Sequence, residues 1–108
     1  MHFVVTAEDR PDALNRRMDT IARHRAYLGE APARHGIKVL LSGPLTTDDG
    51  ETMRGSFFLL DAPDRAGIEA LLAGDPLTAA DVWETIEISA VHLRQKEGAA
   101  HGFTVICC

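Results

Sequence analysis

Four consecutive apolar residues, Phe57 to Leu60, lie in the segment that most constrains the fold of this chain. Because successive side chains of a β-strand point to opposite faces of a sheet, an unbroken apolar run predicts a strand that is covered on both sides. We predict this strand over residues 53–61, with helices against one face and a partner surface against the other. A chain of 108 residues fits one compact domain, so a second copy is the simplest cover for that other face.

The segments around this strand alternate between strand and helix patterns. In chain order we predict a strand over 2–8, a helix from Pro11 to about His35, strands over 37–42 and 53–61, a helix from Pro63 to the stop at Gly74, a one-turn helix or turn over 77–81, and a strand over 82–93. The order β-α-β-β-α-β predicts an α+β fold of the ferredoxin-like, split βαβ type, with an antiparallel sheet and helices on one face.

The first predicted helix has an apolar stripe with two polar residues on its flank. At 100° per residue the stripe consists of Leu14, Met18, Ile21, Arg25 and Leu28. We expect this stripe to face the core, with Arg17 and His24 beside it.

The two ends of this helix are less well defined. Either Asp9 caps it, with Asp12 at the third helical position, or Arg10 precedes Pro11 at the first. Gly29 and Pro32 interrupt its later part, where a kink or a restart is expected.

Charge and composition exclude several classes of function. Eleven basic residues against sixteen acidic ones give a net charge of −5, which argues against nucleic acid or an anionic membrane surface as the partner. No apolar run approaches the roughly 18–20 residues that span a bilayer, and the acidic N-terminal segment does not resemble a signal peptide. The two cysteines, Cys107 and Cys108, are adjacent in the sequence, so they cannot form a disulfide bond that joins distant parts of the chain. A fold that does not depend on disulfide bonds favours a cytoplasmic location, where thiols stay reduced. The histidine spacing predicts no metal site.

Several short motifs, in their order and spacing, resemble the YciI-like (YCII-related) family. These motifs are Asp9-Arg10-Pro11, Arg17, Arg23-His24-Arg25-Ala26-Tyr27-Leu28, Ser42-Gly43-Pro44, Gly55-Ser56 and Asp75-Pro76. The resemblance covers residues 1–94, which we predict to be one YCII-related ferredoxin-like domain. Residues 95–108 are predicted to be a C-terminal tail, in which 103–106 either adds an edge strand or packs on a partner.

The resemblance implies a dimeric α+β barrel in which two sheets pack face to face, so a homodimer is expected. It also implies an active site that pairs a helix histidine, here His24, with the aspartate of an Asp-Pro turn, here Asp75. Ser56 of the Gly55-Ser56 motif is expected to line the same pocket. One branch of the family resembles lactone-processing enzymes and eliminates hydrogen chloride from a chlorinated muconolactone-type substrate.

Each candidate residue also has a plain structural interpretation. His24 fits a boundary histidine in a basic cluster, and Asp75 fits a helix cap. Arg17 is expected to bind the carboxylate of an organic anion through its forked donors, but it also fits a solvated helix residue. Ser56 lacks a nucleophile-elbow motif, so substrate binding competes with the role of a simple strand hydroxyl.

The sequence therefore predicts either an enzyme or a binding module. As an enzyme it would be a lyase, isomerase or hydrolase that needs no cofactor and acts on a small organic acid or lactone, with His24 as general base or acid and Asp75 orienting it. The alternative is a non-catalytic small-molecule-binding or protein-interaction module on the same dimeric barrel. A deep cavity with a polar floor favours the enzyme, and a filled cavity or an exposed apolar groove favours the module.

Overall fold

The computed structural model describes residues 1–94, and the tail predicted over 95–108, with its added edge strand, lies outside the described residues. In chain order the elements are β1 (His2–Asp9), α1 (Leu14–Arg34), β2 (Lys38–Thr46), β3 (Met53–Asp61), α2 (Arg65–Ala73), α3 (Pro76–Ala79) and β4 (Trp83–Val91). Within residues 1–94, no helix is long and apolar enough to cross a membrane.

The four strands form one antiparallel sheet in the order β2-β3-β1-β4. Strand β3 lies between the two strands that α1 connects, and β1 lies between the two strands that α2 and α3 connect. Two interleaved βαβ units of this kind confirm the α+β ferredoxin-like fold that the element order predicted.

The two faces of the sheet differ in how well they are covered. On the face that packs against the helices, Phe3, Val5, Phe58 and Leu60 are each at most 3% exposed, and they join Ile68 and Leu71 of α2 in one core. On the opposite face Val4, Phe57 and Leu59 are half-buried. The run over 57–60 is therefore apolar on both faces, but within the described part of the chain only one of those faces is sealed.

Strand β2 is longer than the sequence indicates. Gly43 and Pro44 predicted its end at Ser42, but the strand continues to Thr46, and Pro44 pairs with Ser56 of β3. Strand β2 lies at the edge of the sheet, where a residue without an N–H group is tolerated.

Helix α1 turns a different side to the core from the one its apolar pattern predicts. Its buried residues include Arg17, Thr20 and His24, whereas Leu14 and Met18 of the apolar stripe are 42% and 50% exposed. The expectation that the stripe faces the core is therefore wrong for Leu14 and Met18, although Leu28 at its other end does pack against the core. The polar side can be buried because Arg17 and His24 find carboxylate partners on neighbouring elements, which offsets the cost of removing them from water.

The expected ends of α1 also need correction. The helix begins at Leu14, after Ala13, and has no side-chain capping hydrogen bond. Asp9 does not cap it because Asp9 belongs to β1 and its carboxylate accepts hydrogen bonds from Arg17. It continues without a restart to Arg34, with Pro32 inside its final turns.

Candidate active site

Helix α1 carries Arg17 and His24 to the same side of the sheet. They are seven residues apart, which is about two turns of helix, so their side chains project in nearly the same direction. Both are almost fully enclosed, with 1% and 7% exposure. Each meets a carboxylate that another element supplies.

His24 is hydrogen-bonded to Asp75. Its Nδ1 atom lies 2.9 Å and 2.8 Å from the two carboxylate oxygens of Asp75, which is 1% exposed. The ring is also held edge-on by Phe58 and Trp83, with centroids 6.2 Å and 6.3 Å away. The structure thus brings together the two residues that the family resemblance pairs.

Asp75 also caps helix α3. Its Oδ1 atom accepts a hydrogen bond of 2.9 Å from the N–H of Leu77, and Pro76 occupies the first turn. The capping interpretation and the pairing with His24 therefore both hold, since one carboxylate has room for several donors. Because the capping hydrogen bond fixes the position of the Asp75 carboxylate, it also fixes the orientation of the His24 ring that is hydrogen-bonded to it.

Tyr27 lies one turn after His24 and supports the segment that presents Asp75. Its hydroxyl donates a 2.6 Å hydrogen bond to the carbonyl of Leu71. Burial, and after it the negative charge of Asp75, raises the pKa of Tyr27 above its ordinary value, so the phenol keeps its proton. A Cβ atom at Gly74 would come within 2.6 Å of the Tyr27 hydroxyl, which explains why glycine fits directly before Asp75.

The free atom of the histidine is Nε2. A carboxylate beside Nδ1 can only accept, so Nδ1 carries the proton of the neutral ring and Nε2 carries the lone pair. Nε2 has no hydrogen-bond partner among residues 1–94. No side-chain nitrogen or oxygen in this part of the chain is both buried and unpaired, so Nε2 is accessible.

Arg17 forms a second pair with Asp9 and holds Ser56. Its Nε and Nη2 atoms donate to the two oxygens of Asp9 at 2.6 Å and 2.9 Å, and Nη2 also donates to Ser56 Oγ at 2.7 Å. Trp83 Nε1 donates to the same Oγ at 3.1 Å. With two N–H donors on its oxygen, the Ser56 hydroxyl is left to donate its own proton elsewhere.

The position of Ser56 depends on the glycine before it. A Cβ atom at Gly55 would collide with the carbonyl oxygen of Ala7 on β1 and approach Leu45 to 2.9 Å. Glycine therefore lets β1 and β3 come close at the point where Asp9 and Ser56 face Arg17. This is a physical reason for the Gly55-Ser56 pair in the sequence.

A cavity of about 260 Å³ lies between α1 and strands β2 and β3. Its walls are formed by Arg17, Ile21, His24, Arg25, Leu28, Ser42, Gly43, Pro44, Met53, Ser56 and Phe58. All the candidate residues except Asp75 line it, and Asp75 lies behind His24. The cavity has polar groups against mainly apolar walls, which is typical of a small-molecule site.

Sequence reasoning missed two contributors to this site. Asp9 was expected only as one of two alternatives for the start of α1, and no sequence signal links it to Arg17, because the burial and pairing of these two side chains are visible only in the structure. The spacing of Arg25 places it in the core-facing stripe, but its side chain is exposed and lines the cavity. Among the described residues, no group of three or more His, Cys, Asp or Glu side chains is placed to hold a metal ion.

Fold and geometry together define a class of small ferredoxin-like α+β proteins with a buried His–Asp pair beside a ligand-sized cavity. The model of the YCII-related domain matches residues 1–92, and the chain therefore belongs to the YCII-related family. This confirms the family resemblance seen in the motifs.

A solved structure is also similar to this chain over most of its length. The chain is similar to the 5-chloro-2-hydroxyhydroquinone dehydrochlorinase of Burkholderia phenoliruptrix AC1100, solved in complex with 2,5-dihydroxybenzoquinone. The two are 29% identical and superpose with a TM-score of 0.73 over 91% of this chain and 96% of the other. No curated protein matches the chain.

Proposed function

We propose that the protein is an enzyme that moves a proton on a small organic acid, lactone or related ring, without a cofactor. His24 is the general base and acid, Asp75 orients it, and Ser56 and Arg17 bind the substrate. The observation that carries this proposal is the contact of Nδ1 with Asp75 while Nε2 remains accessible in a histidine that lines a cavity. The polar floor of the cavity favours an enzyme over a binding module.

The proposed reaction begins at a C–H bond next to a carbonyl group. His24 Nε2 takes the proton, and the electron pair of that bond moves to the carbonyl oxygen, giving an enolate. The Ser56 hydroxyl, polarised by Arg17 and Trp83, donates a hydrogen bond to that oxygen. Asp75 stabilises the imidazolium ion that His24 becomes.

The enolate then has two balanced outcomes. In an elimination its electron pair expels a leaving group from the adjacent carbon, the leaving group departs with its bonding pair, and His24 releases to solvent the proton that it took. In an isomerisation His24 returns the proton to a different carbon. The dehydrochlorinase in the comparison is an enzyme named for removing hydrogen and chlorine from a hydroxylated ring, which supports the elimination branch.

Proton exchange in D2O tests this function even when the product is unidentified. We expect the protein to catalyse C–H exchange or elimination on at least one member of a panel of small lactones, 2-oxo acids and 5-chloro-2-hydroxyhydroquinone, followed by NMR and by chloride release. His24→Asn should lower that rate by about 10²–10⁴-fold. An exposed substitution on the same helix, Arg23→Gln, is the matched control and should leave the rate unchanged.

Two results would contradict the proposal. One is a wild-type protein that is inactive on the whole panel while its circular dichroism shows it folded. The other is an active protein whose rate survives His24→Asn.

We propose further that two copies of the chain pack through the open sheet face. Val4, Phe57 and Leu59 are half-buried there, and Leu41 is 61% exposed, so none of the elements formed by residues 1–94 seals this apolar face. Light scattering should then give about twice the 11.7 kDa of one chain. Leu41→Asp should shift the mass toward one chain, whereas Met18→Asp on the helix side should not.

The expected cytoplasmic location stays a prediction.

A further inference from the structure

The wall of the cavity is cationic although the chain as a whole is acidic. The net charge of the chain is −5, but within residues 1–94 none of the side chains that line the cavity is Asp or Glu. The two carboxylates of the site lie behind the wall, where Asp9 offsets Arg17 and Asp75 faces His24. This leaves Arg25 as a cation on the wall for which no ion pair is formed among residues 1–94.

Arg25 and His24 mark two different parts of the cavity. His24 is 7% exposed and reaches toward the sheet, whereas Arg25 is exposed, and consecutive helix residues point about 100° apart. Apolar side chains, among them Ile21, Leu28 and Phe58, line the space that these two residues share. A ligand that fills it therefore meets polar groups within the fold, an apolar wall, and a positive charge at the solvent side.

We propose that Arg25 selects the charge of the ligand, and this inference rests on the proposed function of the cavity. Arg25 binds an anionic group, a carboxylate or an acidic ring hydroxyl, at the outer end of the cavity while the reacting carbon lies near His24. The volume of about 260 Å³ lies below the ~300–1,000 Å³ of most ligand pockets, which restricts the ligand to a single ring or a short chain. Arg25 is thus a specificity residue, and Arg17, whose charge Asp9 already offsets, contributes hydrogen bonds.

Arg23 provides a matched control for this assignment. It is exposed on the same helix two residues away and has the same charge, but it does not line the cavity. A general effect of charge on the protein surface would be equal in Arg23→Gln and Arg25→Gln. An effect of contact with the ligand would appear in Arg25→Gln alone.

Three small carboxylates and their uncharged amides serve as probes: benzoate, 2-furoate and crotonate, each titrated by calorimetry against its amide. At least one carboxylate should bind wild type about tenfold more tightly than its amide, and Arg25→Gln should remove that preference while Arg23→Gln keeps it. Raising the salt concentration from about 0.05 M to about 0.5 M should weaken the carboxylate severalfold and leave the amide unchanged. A wild type without any preference for a carboxylate, or a preference that survives Arg25→Gln, overturns the inference.

The NMR signal of the His24 ring separates this inference from the proposed function. If a probe shifts the His24 signal equally in wild type and Arg25→Gln and binds both equally, Arg25 is not the anion site and the cavity function stands. If carboxylates bind through Arg25 and leave the His24 signal unmoved, the anion site stands and the proposed function fails.

Discussion

The two buried pairs on helix α1, Arg17 with Asp9 and His24 with Asp75, have similar surroundings but different free atoms. In the first pair both carboxylate oxygens are bound by a group that stays charged at every ordinary pH, and the same group also holds Ser56. In the second pair one ring nitrogen is bound and the other is accessible. We therefore expect the first pair to maintain the geometry around Ser56, and the second pair, under the proposed function, to exchange a proton.

The two pairs should differ most in stability, because truncating Arg17 is expected to cause the largest loss of unfolding free energy. Arg17→Met leaves Asp9 as a buried carboxylate without its partner, and such a loss costs about 3–5 kcal/mol of unfolding free energy. Urea denaturation followed by tryptophan fluorescence measures it, since Trp83 lies in the same network. A loss below about 1 kcal/mol would mean that the pair does not maintain the fold. The double variant Arg17→Met, Asp9→Leu should recover part of the loss, because no charge is then left unpaired.

A smaller loss of stability is expected when the second pair is changed. Asp75→Asn keeps an oxygen for the Leu77 N–H and for Nδ1–H of His24, so it should cost about 1–2 kcal/mol in the same denaturation assay. It removes the negative charge that stabilises the imidazolium, so turnover should fall about 100-fold. If Asp75→Asn destabilises as strongly as Arg17→Met, the distinction between the two pairs is wrong.

The smallest loss of stability is expected at Tyr27, which supports the segment that carries Asp75. Tyr27→Phe removes one hydrogen bond to the Leu71 carbonyl and should cost about 1 kcal/mol. The pKa of Tyr27 is raised in the folded state. The protonated phenol therefore contributes fully to the stability of the fold below the unfolded pKa near 10, and this stabilisation is lost as pH rises through the higher folded pKa. Denaturation curves between about pH 8 and 11 should therefore show the difference between wild type and Tyr27→Phe shrinking above about pH 10. A difference that does not depend on pH would exclude this linkage.

The fold was predictable because its strongest signals are local. The apolar run in β3 predicts bounds of 53–61 that the structure reproduces, and the element order was sufficient for the sheet topology. The orientation of α1 was not predictable from its own residues. Periodicity places the apolar stripe of Leu14 and Met18 inward, but the side that is buried depends on carboxylates that arrive from β1 and from the turn before α3.

The candidate site also has features that the sequence predicts and features that only the structure shows. His24 and Asp75 are 51 residues apart, and their pairing came from a family resemblance, because no periodicity links residues that far apart in the chain. The link between Arg17 and Ser56 also required the structure, since it depends on the close approach of β1 and β3 at Gly55. Arg25 was misplaced because its spacing matches the stripe, and spacing cannot distinguish a core position from a cavity wall.

Proline in an edge strand has a consequence for how copies of this chain can assemble. Pro44 has no N–H group to offer to another strand, and the pairing of β2 with β3 shifts register between Val39 and Leu41, which is typical of a β-bulge in an edge strand. Both features disfavour growth of the sheet by addition of a further strand on that side. The association that we propose through the apolar face does not use this edge, and an interface in which both copies use the same face would give a closed pair rather than an open chain of subunits.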